Sequence, residues 1–294
     1  MRQFPRIGAA VAALGLAAAL AACGSRGDGG TSGDGGSSKG SASGVVAKAQ
    51  NSKKLTIGIK FDQPGVGLKT PDGSYAGFDV DVAKYVAGKL GVPADGITFV
   101  EAKSANRENL LKTGQVDLIF ASYSITEKRQ AEVDFGGPYF IAHQDLLVRA
   151  DDTALTGPES LTGGKKLCSV TGSTSAQKVK DTYAKGVQLQ EYSKYSDCVS
   201  ALFSKVIDAV TTDDVILAGY AAQSQYKGKL KVVGNGFSDE KYGVGIKKGD
   251  TSGVAAVNKA LTEMISDGSW KKALDDNVGP SGYQIPSPPN PGTI

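Results

Sequence analysis

The sequence holds one histidine, one tryptophan and three cysteines among 294 residues. One histidine excludes multi-histidine zinc sites and leaves any histidine-based triad dependent on His143 alone. That residue lies beside a strand-like run with no G-x-S-x-G elbow near it, so it reads as structural. Charge of one sign is scarce as well, with 33 Lys+Arg against 30 Asp+Glu. Phosphate neutralisation along a nucleic acid needs a clustered cationic face, and none is present. There is no C-x-x-C redox pair and no P-loop spacing. A hydrophobic content of 40% nevertheless supports a real core. The length suits one large domain or two ordinary ones.

Arg2 and Arg6 precede an unbroken small and apolar run, Gly8 to Ala22. The run has signal-peptide length and is short for a membrane span. It ends Leu20-Ala21-Ala22-Cys23-Gly24, which resembles the bacterial lipobox, whose cysteine is acylated (palmitate) and becomes the mature N-terminus. An ordinary signal peptide with an incidental cysteine is the plainer alternative. Removal of residues 1–22 takes Arg2 and Arg6 with it and brings the chain nearer neutrality. From Gly24 to Gly44, 15 of 21 residues are Gly or Ser. Such a segment cannot bury enough surface to offset its ordering entropy, so residues 23–52 are expected to be lipid anchor and flexible tether. The protein is expected to be exported and held on the outer face of the cell membrane. With Cys23 acylated, Cys168 and Cys198 are an even pair in an exported chain, and a structural disulfide is expected. Closing a loop of about 30 residues contributes roughly 3–4 kcal/mol.

From about Lys54 to Asn277 strands and helices alternate. Phe78, Val82, Val86 and Leu90 recur every four residues and mark one helix face, ended by Gly91 and Pro93. Strands are read at 55–59, 97–100 and 143–149, and a buried strand at 116–121. After Gly163-Gly164 the alternation restarts, with strands near 165–170, 187–191, 207–212, 230–233 and 242–247. This pattern is α/β and implies parallel sheets covered on both faces. Gly114–Ala121 and Lys205–Thr211 echo each other, each running through an acidic residue into a buried strand. Small polar residues follow both: Ser122 and Ser124 in the first, Thr211, Thr212 and Asp213 in the second. Ligands bind just beyond the carboxyl ends of such strands, so two lobes would face each other across a cleft. The tail from Pro280 to Ile294 holds five prolines and reads as loose.

Ser124-Ile-Thr126 leads into Glu127-Lys-Arg129, which places a hydroxyl, free N–H groups and a guanidinium at one helix start. That set suits a carboxylate. Thr126 capping the helix with Arg129 merely solvated is the bland alternative. Thr171-Gly-Ser-Thr-Ser175 could cradle an anion with its N–H groups. Asp213 could hold an ammonium group, or the Asp213/Asp214 pair could simply start a helix. Asp79 and Asp81 lie two apart and point to different helix faces.

From Lys54 to Trp270 the chain resembles the extracellular solute-binding proteins (family 3) of polar amino acid ABC transporters, most of all the actinobacterial glutamate-binding lipoproteins. The resemblance rests on Gly77–Ala83, Gly114–Ile119, Ser124–Arg129, Val133-Asp-Phe135 with Pro138-Tyr139, Thr171–Ser175, Asp208–Asp213, Tyr242–Gly245 and Lys248–Asp250. It implies a type II periplasmic-binding-protein fold, with two interleaved lobes joined by two crossing strands near Leu147–Arg149 and Phe237–Tyr242. Lobe 1 would span 53–147 and 239–279, lobe 2 148–238, and the Pro-rich tail 280–294. By resemblance Arg129 grips an α-carboxylate with Ser122 and Ser124, and Gly172, Ser173 and Thr174 add donors from lobe 2. Asp213 takes the α-ammonium. Lys60 and Gln63 stand where glutamine binders tend to carry an acid and aromatics, which suits a γ-carboxylate and favours glutamate over glutamine or aspartate. An uncompensated buried anion would be costly, hence the weight on Lys60. The expected partners are the amino acid, ABC permease subunits and the membrane, through the lipid, with the protein acting as a monomer. No metal, cofactor or nucleic acid is implied. Hinge closure would present the ligand to the importer. An exported enzyme similar to cyclohexadienyl dehydratases, or a sensory co-receptor for amino acids, are the alternatives.

Overall fold

The computed structural model describes residues 44–183 and 186–293. The signal segment, Cys23 and the Gly/Ser-rich stretch up to residue 43 lie outside the described residues. The chain begins with α1 (Gly44–Ser52) and β1 (Leu55–Ile59), then a small ribbon of β2 (Asp62–Gln63), β3 (Gly67–Lys69) and β4 (Tyr75–Ala76). It continues through α2 (Phe78–Lys89), β5 (Ile97–Glu101), α3 (Arg107–Lys112), β6 (Leu118–Phe120), α4 (Glu127–Gln130) and β7 (Asp134–Ala142). Next come β8 (Gln144–Arg149), β9 (Lys166–Val170), α5 (Thr174–Lys178), β10 (Gln188–Tyr192), α6 (Tyr195–Phe203), β11 (Ala209–Asp213), α7 (Asp214–Ala221) and β12 (Leu230–Val232). It ends with β13 (Glu240–Ile246), α8 (Thr251–Ser266) and α9 (Ser269–Asn277).

Two five-stranded sheets result, ordered β5-β1-β6-β13-β7 and β10-β9-β11-β8-β12. The fold is α/β and two-lobed, one sheet to each lobe. The sheets are mixed, not parallel as the alternation implies. β13 runs antiparallel to both β6 and β7, and β8 antiparallel to both β11 and β12. These antiparallel strands flank the two passages between lobes, where the chain enters each sheet without a βαβ crossover. The first passage is at His143, not at 147–149, because Leu146 and Leu147 already pair with Thr211 and Val210 in the second sheet. A lobe boundary at 147 would cut through β8. The return runs through residues 233–239, overlapping the expected Phe237–Tyr242 stretch.

Three further expectations change. The tether does not reach residue 52, since α1 buries Val45 and Ala49, and the Val45 N–H donates to Asp250 Oδ2 at 2.7 Å. β7 has no counterpart among the expected strands, and it contains Gly136-Gly137-Pro138, residues that weaken a strand pattern. The space is what demands glycine at 136: a Cβ there would lie 2.6 Å from Val257 of α8. The Pro-rich tail is not loose either. Gly292 N–H donates to Gly137 O at 2.7 Å, and the Tyr283 hydroxyl donates to Asp214 Oδ2 at 3.1 Å.

The apolar periodicity of α2 does what it should. Phe78, Val82, Val86 and Leu90 are buried, and Phe78 packs edge-on to Phe140 and Trp270. Cys168 and Cys198 form a disulfide with Cα atoms 5.6 Å apart, tying β9 to α6 within the second lobe. Among the described residues no helix is long and apolar enough to cross a membrane.

Candidate functional site

β6 ends at Phe120, and the next residues turn sharply: Ser122 has φ 42°, a left-handed conformation. Asp79 holds this turn. Its Oδ2 accepts the Ser122 N–H at 2.7 Å and its Oδ1 accepts the Tyr139 hydroxyl at 2.7 Å. Burial pushes the Asp79 carboxyl up to about 6, against the pull of these two donors. Asp81, two residues on, instead accepts Asn277 Nδ2 at 2.7 Å, so the pair does diverge.

Thr126 caps α4, accepting the Arg129 N–H at 3.2 Å. The Arg129 side chain is not solvated, however. It is 7% exposed, and its Nη1 donates to Ser124 O at 2.7 Å. Its Nη2 reaches across the cleft to Gly172 O at 3.1 Å, and its Nε lies 3.5 Å from Glu108 Oε1. Capping and burial coexist, so the bland alternative falls.

The loop after β9 meets lobe 1 closely. Gly172 has φ +80°, and a Cβ there would approach Ala105 Cα to 2.8 Å. Ser173 caps α5, accepting the Ala176 N–H at 3.1 Å, while Thr174 Oγ1 donates to Glu240 Oε2 at 2.9 Å. Asp213, at the end of β11, is 4% exposed. Its Oδ2 accepts the Tyr242 hydroxyl at 2.5 Å, and its Oδ1 has no partner. Burial raises the Asp213 carboxyl well above the usual carboxylate range, and the nearby Glu240 adds to the rise.

Ser122, Ser124, Arg129, Ser173, Thr174 and Asp213 line one narrow cavity between the lobes, with only about 10 Å³ free to a water-sized sphere. Gly172 stands at its wider mouth. Gln63 lies behind it, fully buried, with Oε1 accepting the Ser122 hydroxyl at 3.1 Å. Lys60 does not line the same space. It borders an adjoining void with Asp62, Glu101 and Tyr195, and its Nζ donates at 2.7 Å to Ser104 Oγ, which does line the cavity. Burial, reinforced by the Arg107 charge, brings the Lys60 amine down to about 7.

Arg107 is the principal residue absent from the sequence reading. It opens α3, is 2% exposed and lines the cavity. Its Nη1 donates to Ala121 O at 3.0 Å and Ser122 O at 3.3 Å, and its Nε has no partner. Burial and the Arg129 charge lower its pKa to about 10. Both guanidinium groups lie over the Tyr123 ring, Arg107 at 4.2 Å and Arg129 at 5.0 Å. Among the described residues four buried side-chain polar atoms lack a partner, and three belong to this cluster: Gln63 Nε2, Arg107 Nε and Asp213 Oδ1. Such atoms are costly to leave unpaired and mark where a ligand would bond. Two guanidiniums and an amine stand beside three buried acids, Asp79, Asp213 and Glu240, and burial pushes the first two of these toward the neutral form, a set apt for an anion that also carries one cationic group. No group of His, Cys, Asp and Glu that could hold a metal occurs among the described residues.

The family described as bacterial extracellular solute-binding proteins, family 3, matches residues 55–280. The chain is 46% identical over 288 residues to the glutamate-binding protein GluB of Corynebacterium glutamicum, covering 95% of this chain and 92% of that one. It is 36% identical to the ABC transporter glutamine-binding protein GlnH of Bacillus subtilis, covering 85% and 89%. An ancestral arginine-binding protein solved with glutamine bound superposes with TM-score 0.72 at 35% identity, covering 77% of this chain and 98% of that one. The cleft, the two-sheet topology and these matches agree: the chain belongs to the bacterial extracellular solute-binding proteins, family 3.

Proposed function

We propose that this chain is the extracellular receptor of an ABC importer and captures an acidic amino acid, L-glutamate ahead of glutamine or aspartate. The observation that carries this reading is the pair of buried guanidiniums, Arg107 and Arg129, that line one cavity. An α-carboxylate occupies Arg129 and the serine hydroxyls, which leaves Arg107 and Lys60 for a second, distal carboxylate. Asp213, with one oxygen free, takes the α-ammonium. The names of the glutamate- and glutamine-binding relatives support the substrate class. The lipobox-like Cys23 would tether the receptor to the membrane, and residues 23–43 would give the folded body reach.

Lobe 1, formed by residues up to about 142 and from about 240, would bind first. Lobe 2 would close over the ligand with Thr174 and Asp213, and the closed form would dock on the permease. A ligand favours closure only through contacts it makes better in that state, and these two residues supply them from the far side.

Calorimetry of the folded body against the twenty amino acids tests the reading. Tight glutamate binding that is lost in Arg107→Gln and weakened less in Lys60→Ala is expected. Equal binding of glutamine by wild type and both variants would sink the glutamate assignment. The raised Asp213 carboxyl also favours a second reading, a general acid for eliminating water. Turnover of prephenate or arogenate by the purified protein would establish that reading, and intact substrate after long incubation would dismiss it.

A further inference from the structure

Gly219 lies inside α7, where glycine costs about 1 kcal/mol relative to alanine. Its backbone is not left-handed, so conformation does not require it. Space does: a Cβ on Gly219 would collide with the carbonyl oxygen of Pro64. Pro64 sits in the turn of the β2–β3 ribbon of lobe 1, whereas α7 belongs to lobe 2. The missing side chain is therefore a seat into which one lobe settles on the other.

The neighbouring residues fasten that seat. The Tyr220 hydroxyl, next along α7, donates to Asp62 O and lies 3.2 Å from Asp62 Oδ2. The same carboxylate accepts the Ser196 N–H at 3.1 Å, at the first turn of α6. No side chain of the α6 cap residue itself bonds to that turn, so a lobe 1 carboxylate does the capping for a lobe 2 helix. Beside it, Lys194 and Glu101 form an ion pair at 3.1 Å between the lobes. Neither Pro64, Gly219 nor Tyr220 lines the ligand cavity.

We propose that the Asp62–Pro64 turn and the Gly219-Tyr220 step of α7 form a closure latch that sets ligand affinity without touching the ligand. The proposal rests on the hinge-closure reading above. Observed affinity is the intrinsic affinity of the closed cleft multiplied by the fraction of protein able to close. Latch contacts raise that fraction for every ligand alike, whereas pocket residues act on one ligand more than another.

The test uses Gly219→Ala and Tyr220→Phe, because changing Asp62 would also alter the field at Lys60. Calorimetry with glutamate, glutamine and aspartate should show Gly219→Ala weakening all that bind by one common factor, about tenfold or more. Tyr220→Phe should weaken them about fivefold, the loss of one hydrogen bond. Small-angle scattering should show a larger radius of gyration for ligand-saturated Gly219→Ala than for ligand-saturated wild type. Thermal melting without ligand separates a latch from a structural role: alanine favours the helix, so the melting temperature of Gly219→Ala should hold or rise. Unchanged affinity in both variants, or an altered ranking of the ligands, overturns the latch. Should wild type bind no amino acid at all, the function reading falls by itself. The ligand-free scattering then decides the latch, expansion on Gly219→Ala supporting it and no change overturning it.

Discussion

The Tyr242 hydroxyl on β13 of one lobe donates at 2.5 Å to Asp213 Oδ2 at the end of β11 of the other. One oxygen of this buried acid is thus engaged by the opposite lobe, and its partner oxygen is free for a ligand. Under the proposed function, Asp213 is where protein closure and ligand recognition would share a single group.

That sharing separates two variants. Asp213→Asn removes the charge that faces an α-ammonium, and glutamate affinity should fall about a hundredfold or more, since hydrogen bonds between charged groups and buried charge pairs are worth several kcal/mol. Tyr242→Phe removes only the inter-lobe donor and should cost about tenfold. Ligand-free Asp213→Asn should melt no lower than wild type, because a carboxyl raised by burial is easier to bury as an amide. Calorimetry and melting read both effects. Wild-type affinity in Asp213→Asn would remove the residue from the site.

Under the proposed function, Arg107 and Lys60 would divide the distal work. Arg107→Gln keeps a donor toward the Ala121 and Ser122 carbonyls but deletes the charge. The ratio of glutamate to glutamine affinity should drop about tenfold in Arg107→Gln and less in Lys60→Met, since Lys60 reaches the cavity only through Ser104. A larger drop in Lys60→Met would reverse that order.

The Lys60 amine fixes a pH dependence. Its folded pKa of about 7 lies below its ordinary value of 10.5. Between those values the unfolded chain holds a proton that the folded chain does not, so the Lys60 contribution to stability rises with pH across that window. Below about 7 the buried charge is a full penalty. A γ-carboxylate placed near Lys60, whose field is otherwise set by Arg107, Arg129, Asp62 and Glu101, pulls its pKa back up. Glutamate should therefore take up more protons than glutamine on binding near pH 8, a difference that cancels any proton released by Asp213 because both ligands carry the ammonium. Titrations in buffers of different ionisation enthalpy measure it, and equal uptake for the two ligands would contradict this role of Lys60.

Far from the cleft, Asp250 serves two helices, accepting the Val45 N–H of α1 at 2.7 Å and capping α8 through the Gly253 N–H at 2.8 Å. Asp250→Ala should cost about 1–2 kcal/mol and a few degrees of melting temperature, with glutamate affinity unchanged. A large loss of affinity would mean that α1 and α8 reach the site.

What could be seen in the sequence was local. The four-residue rhythm of Phe78, Val82, Val86 and Leu90 marks α2, and the small polar residues after two buried strands mark the cavity. Arg107 was invisible because nothing nearby in sequence separates a buried arginine from a solvated one at a helix start. Its partners are carbonyls 14 and 15 residues away, and its neighbour in charge is Arg129. The same holds for β7, whose glycines look like a break until α8 is seen lying against them. Lys60 follows β1 directly, a place that can be read in the sequence, whereas the direction of its side chain, toward Ser104, cannot.

The position of β13 has a consequence for how the chain must fold. Residues 240–246 fill the slot between β6 and β7, so the first sheet lacks an inner strand until the whole of the other lobe has been made. The second sheet, by contrast, draws its strands from one continuous stretch, 144–232, and can condense alone. The sheet whose strands begin first along the chain is therefore the last to become whole, and a chain cut short before residue 240 leaves β6 and β7 as open edges ready to pair with another copy.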